Sequence, residues 1–174
     1  MEKLFEKKFF RLLILVVIFG IIINMGYKKF RIEGESMVST YGDGETLLVH
    51  KTSYKFNNPE RGDVVVFYDF ADNEFLVKRI VGLPGEKIEI IDGNIYVDET
   101  LWKDQFSDLK PAALLVGPDE NPLKNWETGE NVYENDNIEY KRLAVNEYWV
   151  IGDNRQESWY GIIYSDEIIG KVKY

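Results

Sequence analysis

Lys87-Ile88-Glu89-Ile90-Ile91-Asp92-Gly93-Asn94-Ile95-Tyr96-Val97 reads as a β-hairpin. Apolar residues recur at alternate positions on both sides of Asp92-Gly93. A two-residue Asp-Gly link between such runs supplies the positive backbone angles that a tight hairpin turn requires. The same pattern extends outward in both directions. Upstream, Thr46–His50, Asp63–Tyr68 and Phe75–Val81 are short apolar or alternating runs. The turn Asn57-Asn58-Pro59-Glu60-Arg61-Gly62 leads into the second of them, and Gly82-Leu83-Pro84-Gly85 closes the third. Downstream, Tyr148–Ile151 and Ile168–Val172 complete the set. Strands this short, separated by Gly, Pro and Asn turns, predict a mainly β domain, antiparallel and sandwich- or barrel-like. No alternating strand–helix rhythm appears, which argues against a doubly wound nucleotide-binding sheet. Residues 101–143 depart from the pattern, with Pro111, Pro118 and Pro122 and nine acidic against five basic residues. They read as an inserted subdomain or a long excursion over the β core, with some strands or a short helix in it, because a structureless loop of that length is unusual in a compact domain.

Before this body lies a different kind of segment. Phe9 to Tyr27 is apolar except for Arg11, Asn24 and two glycines, and Leu12–Ile23 is an unbroken apolar core. As a helix, 19 residues rise about 28 Å, close to the hydrocarbon thickness of a bilayer. Hydrophobicity on every face separates it from a surface helix. The reading is therefore a cytoplasmic tail over 1–8, a transmembrane anchor over 9–27 and an extracytoplasmic domain over 28–174. A cleaved secretory signal is the rival, but its small-x-small site is poor, since Gly26 has Asn24 two positions before it. Residues 1–31 carry seven Lys/Arg against Glu2 and Glu6, a charge of +5; with −9 for the 174-residue chain, the remainder carries −14. An acidic domain behind a basic leader argues against nucleic-acid binding. There is no cysteine and one histidine, so neither a disulfide framework nor a multi-histidine metal site can form within the chain, and no cofactor is expected.

Two short stretches carry the chemistry. Ser36, in the polar turn Gly34-Glu35-Ser36-Met37, reads as a nucleophile, and Lys78, inside the apolar run Phe75–Val81, as its general base. Lysine must be neutral to accept a proton, and apolar burial lowers its pKa by penalising the ammonium form. Serine needs such a partner because its hydroxyl is a poor nucleophile unaided, and Ser–Lys is a known version of the arrangement. Strand alternation sends Arg79 to the opposite face from Lys78, where its charge would add only a secondary downward push. His50 invites a Ser-His-Asp reading but lies in a strand pattern, so it is taken as a packed or exposed strand residue.

Four blocks in order resemble type I signal peptidases, membrane-anchored Ser–Lys proteases that remove signal peptides from exported proteins. They are Gly34-Glu35-Ser36-Met37-Val38-Ser39-Thr40-Tyr41-Gly42-Asp43-Gly44, Arg61-Gly62-Asp63-Val64-Val65-Val66-Phe67, Val77-Lys78-Arg79-Ile80-Val81-Gly82-Leu83-Pro84-Gly85-Glu86 and Glu147-Tyr148-Trp149-Val150-Ile151-Gly152-Asp153-Asn154-Arg155. With the anchor, the resemblance covers nearly the whole chain, and the short chain with one span looks like the form found in Gram-positive bacteria. It implies Ser36 as nucleophile, Lys78 as base and the Ser36 backbone N–H as the main oxyanion donor. Gly34 stands where some relatives supply a second, hydroxyl donor. Met37 matches a residue beside the substrate cleft, Ser158 one that orients the lysine, and Asp153, Asn154 and Arg155 a structural block near the site. The implied substrates are signal peptides of exported preproteins, and the implied location is the plasma membrane with the catalytic domain outside.

The sequence also departs from the family. Ser39 stands where proline is usual. After Ser158 the family continues with one residue and Asp-Ser-Arg, whose ion pair braces the site; here Trp159-Tyr160-Gly161 follows, a four-residue deletion. That loss weakly favours a second function, a signal-peptidase-like assembly factor or chaperone for surface proteins, whereas retention of Ser36 and Lys78 disfavours it. Self-cleaving Ser–Lys repressors are a third class, disfavoured by the membrane segment and the acidic domain.

Overall fold

The computed structural model describes residues 8–17, 26–70, 73–91, 94–103, 142–155, 158 and 160–173, together with the backbone of 123–124, 131–132 and 138–139. The strands in chain order are β1 (Tyr27–Arg31), β2 (Thr46–His50), β3 (Val64–Asp69), β4 (Glu74–Gly82), β5 (Ile88–Ile91), β6 (Asn94–Val97) and β7 (Thr100–Leu101), followed by β8 (Leu123–Lys124), β9 (Asn131–Val132), β10 (Ile138–Glu139), β11 (Glu147–Ile151), β12 (Tyr160–Tyr164) and β13 (Ile168–Val172). Seven of them form one sheet in the order β1-β2-β13-β3-β4-β11-β12, and four form a second in the order β10-β5-β6-β7. Every pairing is antiparallel. The mainly β, antiparallel expectation is therefore met. In the expected hairpin Ile91 pairs with Asn94 and Ile88 with Val97, the register of a two-residue link.

Burial explains why the apolar runs differ in pattern. β3 lies inside the large sheet and is covered on both faces, so Val64-Val65-Val66-Phe67 is continuously apolar rather than alternating. Val64 and Val66 join Ile32, Met37, Tyr41, Leu47, Val49 and Val172 in one core cluster. Val65 and Phe67 join Ile80, Tyr148, Val150 and Ile163 in another. A third cluster, centred on Trp149, packs Ile88, Ile90, Ile95 and Val97 of the small sheet against Val81, Ile151 and Tyr160 of the large one. The large sheet coils strongly. Phe30 on β1 and Phe75 on β4 are four strands apart in sheet order, about 19 Å if the sheet were flat. Their rings nonetheless meet edge to face at 5.2 Å between centroids.

Several elements were not foreseen. β1, whose sequence Tyr-Lys-Lys-Phe-Arg passed for the basic flank of the anchor, is an edge strand pairing with β2, and exposed lysines are a common way to blunt an edge. Tyr27, expected to end the anchor, begins this strand. β12 begins two residues beyond Ser158, in the stretch where the sequence departs from the family it resembles. Within 101–143, the short strands expected there are present: β10 extends the small sheet by pairing with β5, and β8 pairs with β9. At the N-terminus residues 8–17 are helical. Among the described residues no helix is long and apolar enough to cross a membrane, and residues 1–7 and 18–25 of the expected tail and anchor lie outside the described residues.

Candidate active site

The turn that follows β1 brings Ser36 to β4. Gly34 has φ of +92°, a conformation that costs glycine little, and its N–H donates to Asp43 at 2.9 Å. Val38 N–H donates to Glu35 O, and the N–H groups of Thr40 and Tyr41 both donate to Met37 O. Ser39 has φ of +108°, a backbone conformation closed to the proline usual at this position in the family the sequence resembles. Met37 is fully buried in the core cluster beneath the turn. From there its side chain pins the turn that carries Ser36.

Lys78 sits in β4 opposite Val65 of β3 and is 1% exposed. Its Nζ lies 2.7 Å from Ser36 Oγ. Burial pulls the lysine down to about 7, against the weaker upward pull of the Asp153 and Glu74 carboxylates. The secondary downward push expected from Arg79 is replaced by this upward one, because Arg79 is neutralised by a carboxylate of its own. Its Nε and Nη2 donate to the two oxygens of Asp153 at 2.8 and 2.6 Å, and both side chains are wholly buried. Thr40 Oγ1 donates to Asp153 Oδ2 at 2.5 Å and lies 3.4 Å from Arg79 Nη2, while Arg79 Nη1 donates to Gly62 O at 2.6 Å. This network ties the nucleophile turn, the β3 entry and the loop after β11 to the strand that carries Lys78.

The loop after β11 closes on Ser36 from the other side. Asn154 N–H donates to Ser36 O at 3.0 Å, and Asn154 Nδ2 donates to Glu35 O at 3.0 Å. Ser158, also buried, accepts the Gly152 N–H at 2.9 Å through its hydroxyl. Arg155, buried as well, donates to Gly152 O. A Cβ at Gly152 would stand 2.3 Å from Ser36 O and 2.1 Å from Ser158 Oγ, so only glycine lets the loop approach this closely. Among the described residues the Ser36 backbone N–H has no acceptor. A half-buried hydroxyl, a desolvated amine and an uncommitted N–H thus lie together, the set that acyl transfer needs.

His50 lies apart from this group. Its ring stacks on Tyr27 at 4.6 Å, and its two nitrogens bond the hydroxyls of Thr52 and Ser53. It lines a cavity of about 420 Å³ together with Tyr54, Asp63 and Lys171, none of them a partner of Ser36. Thr40, Gly152 and Glu74 belong to the site but were not singled out by sequence reasoning. Thr40 and Gly152 lay inside the quoted blocks, yet nothing local marks a hydroxyl as a carboxylate's partner across 113 residues.

Comparison with known proteins gives a consistent family. The model of the family described as "Signal peptidase, peptidase S26" matches residues 6–174. Signal peptidase IB of Staphylococcus aureus (strain COL) is 31% identical over 154 residues, 83% of this chain and 75% of that protein. Signal peptidase I P of Bacillus subtilis subsp. natto is 26% identical over 189 aligned positions, 99% of this chain and 92% of that protein. A crystal structure of a signal peptidase I from Enterococcus faecalis V583 aligns with a TM-score of 0.45 at 20% identity, over 67% of this chain and 98% of that one. On the match that runs through all four blocks and both sheets, the chain belongs to the type I signal peptidase family.

Proposed function

We propose that this chain is a membrane-anchored serine endopeptidase that removes N-terminal signal peptides from exported preproteins through Ser36 and Lys78. The observation that carries the reading is the 2.7 Å separation of Ser36 Oγ from a lysine amine that burial holds near neutrality. Neutral Lys78 takes the Ser36 proton as Oγ attacks the scissile carbonyl. The carbonyl oxygen becomes an anion opposite the Ser36 N–H. Collapse of the tetrahedral intermediate breaks the C–N bond, and Lys78 returns its proton to the leaving amine. The mature protein leaves as that amine; water then attacks the acyl-enzyme ester with Lys78 again as base, releasing the signal peptide as a carboxylic acid and returning the proton to Ser36. On this reading Ser158 helps orient Lys78, as the family resemblance implies, while Asp153, Arg155 and Arg79 hold the loop and strand in place. The family's preference implies small residues one and three positions before the cut; on this reading two shallow apolar pockets near Ser36, lined by strand residues, would enforce it by excluding larger groups.

The apolar stretch from Phe9, helical over 8–17, supports the anchor, which the start of β1 limits to residues before Tyr27. The fold beyond it would then stand outside the plasma membrane.

The test is cleavage of a signal-peptide substrate by full-length protein in detergent. Ser36→Ala and Lys78→Ala should each lower turnover by about a thousandfold or more. Lys78→Arg should fail as badly, since guanidinium stays protonated. His50→Ala should keep most of the activity. Wild-type turnover in Lys78→Arg, or loss of it in a folded His50→Ala, would refute the assignment.

A further inference from the structure

We propose that Asn154 is a positioning residue that aims the Ser36 N–H at the developing oxyanion, an inference that rests on the Ser36–Lys78 reading. The Ser36 N–H belongs to the same planar peptide as the Glu35 carbonyl, and in a trans peptide the two point in opposite directions. Whatever holds Glu35 O therefore sets where the Ser36 N–H points. Two donors reach that oxygen, Val38 N–H and Asn154 Nδ2, each at 3.0 Å. Val38 is part of the turn and moves with it. Asn154 is fixed from outside, between Asp153, which is locked to Arg79 and Thr40, and Arg155, whose buried guanidinium holds Gly152 O. The same residue grips the next peptide too, through its own N–H on Ser36 O at 3.0 Å.

Asn154 thus clamps the carbonyls on both sides of the Ser36 Cα. Fixing those two peptide planes fixes the N–H and the Oγ relative to each other, which is what preorganisation for a tetrahedral intermediate requires. Donation into Glu35 O also polarises that peptide and strengthens its N–H as a donor. The side-chain half of the clamp is the part a substitution removes; the backbone half survives. Asparagine suits the position because its amide can donate to a carbonyl, whereas an aspartate of the same shape repels one.

Loss of a donor from an oxyanion hole costs about 100- to 1000-fold in turnover. The Asn154–Glu35 bond lies at the surface and acts through another group, so its loss should cost less, about 10- to 100-fold. The experiment uses full-length protein, with Asn154→Ala and the isosteric Asn154→Asp beside wild type and Ser36→Ala. Both Asn154 variants should lose about 10- to 100-fold in kcat with KM within about twofold of wild type. Affinity for a substrate-like peptide aldehyde, whose hemiacetal with Ser36 puts an oxygen in the oxyanion position, should fall by the same factor as kcat. The midpoint of the pH–rate limb should not move, and neither should Tm. Unchanged kcat, a loss confined to KM, intact aldehyde affinity, a shifted pH limb or a fall in Tm that parallels the lost activity would each overturn the proposal. A wild type that cleaves no signal peptide, or a Ser36→Ala that cleaves one, would instead refute the Ser36–Lys78 reading and this inference with it. Active wild type, inactive Ser36→Ala and fully active Asn154 variants would sink the inference alone.

Discussion

The burial that would suit Lys78 to act as a base costs the fold stability. The lysine's folded value is about 7 and its ordinary one 10.5. Between these two pH values the unfolded chain holds a proton that the folded chain has released, so stability rises with pH across that window. At and below about pH 7 the ammonium is buried in the folded state and the full penalty is present. Lys78→Met, close in shape and unable to charge, should therefore abolish turnover while stabilising the fold by about 1 kcal/mol or more below pH 7. The gain should shrink towards pH 10, which denaturant melts across the range would check. On the proposed reading the same titration governs catalysis: activity should climb through about pH 7 as Lys78 becomes neutral. Glu74 holds Lys78 up and is itself exposed, so Glu74→Gln should move that limb to lower pH without altering the fold. A limb that stays in place or moves upward would show that Glu74 does not act on Lys78. Ser36 and Lys78 were legible in the sequence because each has a local signature, a serine in a polar turn and a lysine in an apolar strand. Thr40 and Glu74 have none, since their importance comes from an approach that only folding creates.

At the scale of elements, β4 and β11 decide where the site stands, and their pairing is irregular. Trp149 lies opposite Gly82 and Val150 opposite Ile80, a register shift that lets the wholly buried Trp149 pass β4. A Cβ at Gly82 would meet Trp149 Cβ at 2.7 Å, Ile88 Cδ1 at 2.8 Å and Leu143 Cδ1 at 2.9 Å. Gly82→Ala should overpack this contact and cost about 1–3 kcal/mol, seen as a lower denaturation midpoint with an unchanged m-value. Neutral stability would mean that β4 and β11 are free to separate here. The buried Arg79–Asp153 pair with Thr40 ties β4 and the nucleophile turn to the loop that leads into Ser158. Arg61 adds a second tie, donating to Val81 O and pairing with Glu86 at 2.5 Å. The β5–β6 hairpin was legible because its turn chemistry and alternation agree. β1 was not, because an edge strand of lysines and aromatics has the composition of a membrane flank, and only its pairing with β2 separates the two.

For the whole molecule, the question is how an acidic domain stands relative to the apolar stretch that precedes it. The chain enters the large sheet at Tyr27, and the far end of β3 and the start of β4 lie near that entry through the Phe30–Phe75 contact. Around it Tyr68 packs on both Phe70 and Phe75, and Lys28 Nζ sits 4.5 Å from the Phe30 ring centroid. Phe70 is 71% exposed and Phe75 48%. Aromatic rings beside lysines are the composition of a membrane–water interface, where the ring sits at headgroup level and the amine reaches phosphate. On the proposed reading this end of the domain faces the bilayer, and the −14 of residues 32–174 keeps the rest of the surface away from anionic headgroups. Full-length protein should accordingly stay with membranes through an alkaline wash that strips peripheral proteins. Protease added to intact protoplasts should digest the domain while leaving a short N-terminal fragment protected. Recovery of the chain in the soluble fraction, or a domain shielded until the membrane is breached, would refute both the anchor and the orientation. Replacing Phe70 with serine should leave the anchored protein in the membrane, because one ring contributes little beside a span of apolar residues. It should slow cleavage of membrane-inserted preprotein more than cleavage of a short soluble peptide, since only the first depends on how the domain is seated. Equal effects on the two substrates would show that the aromatic end takes no part in presenting the site to the membrane.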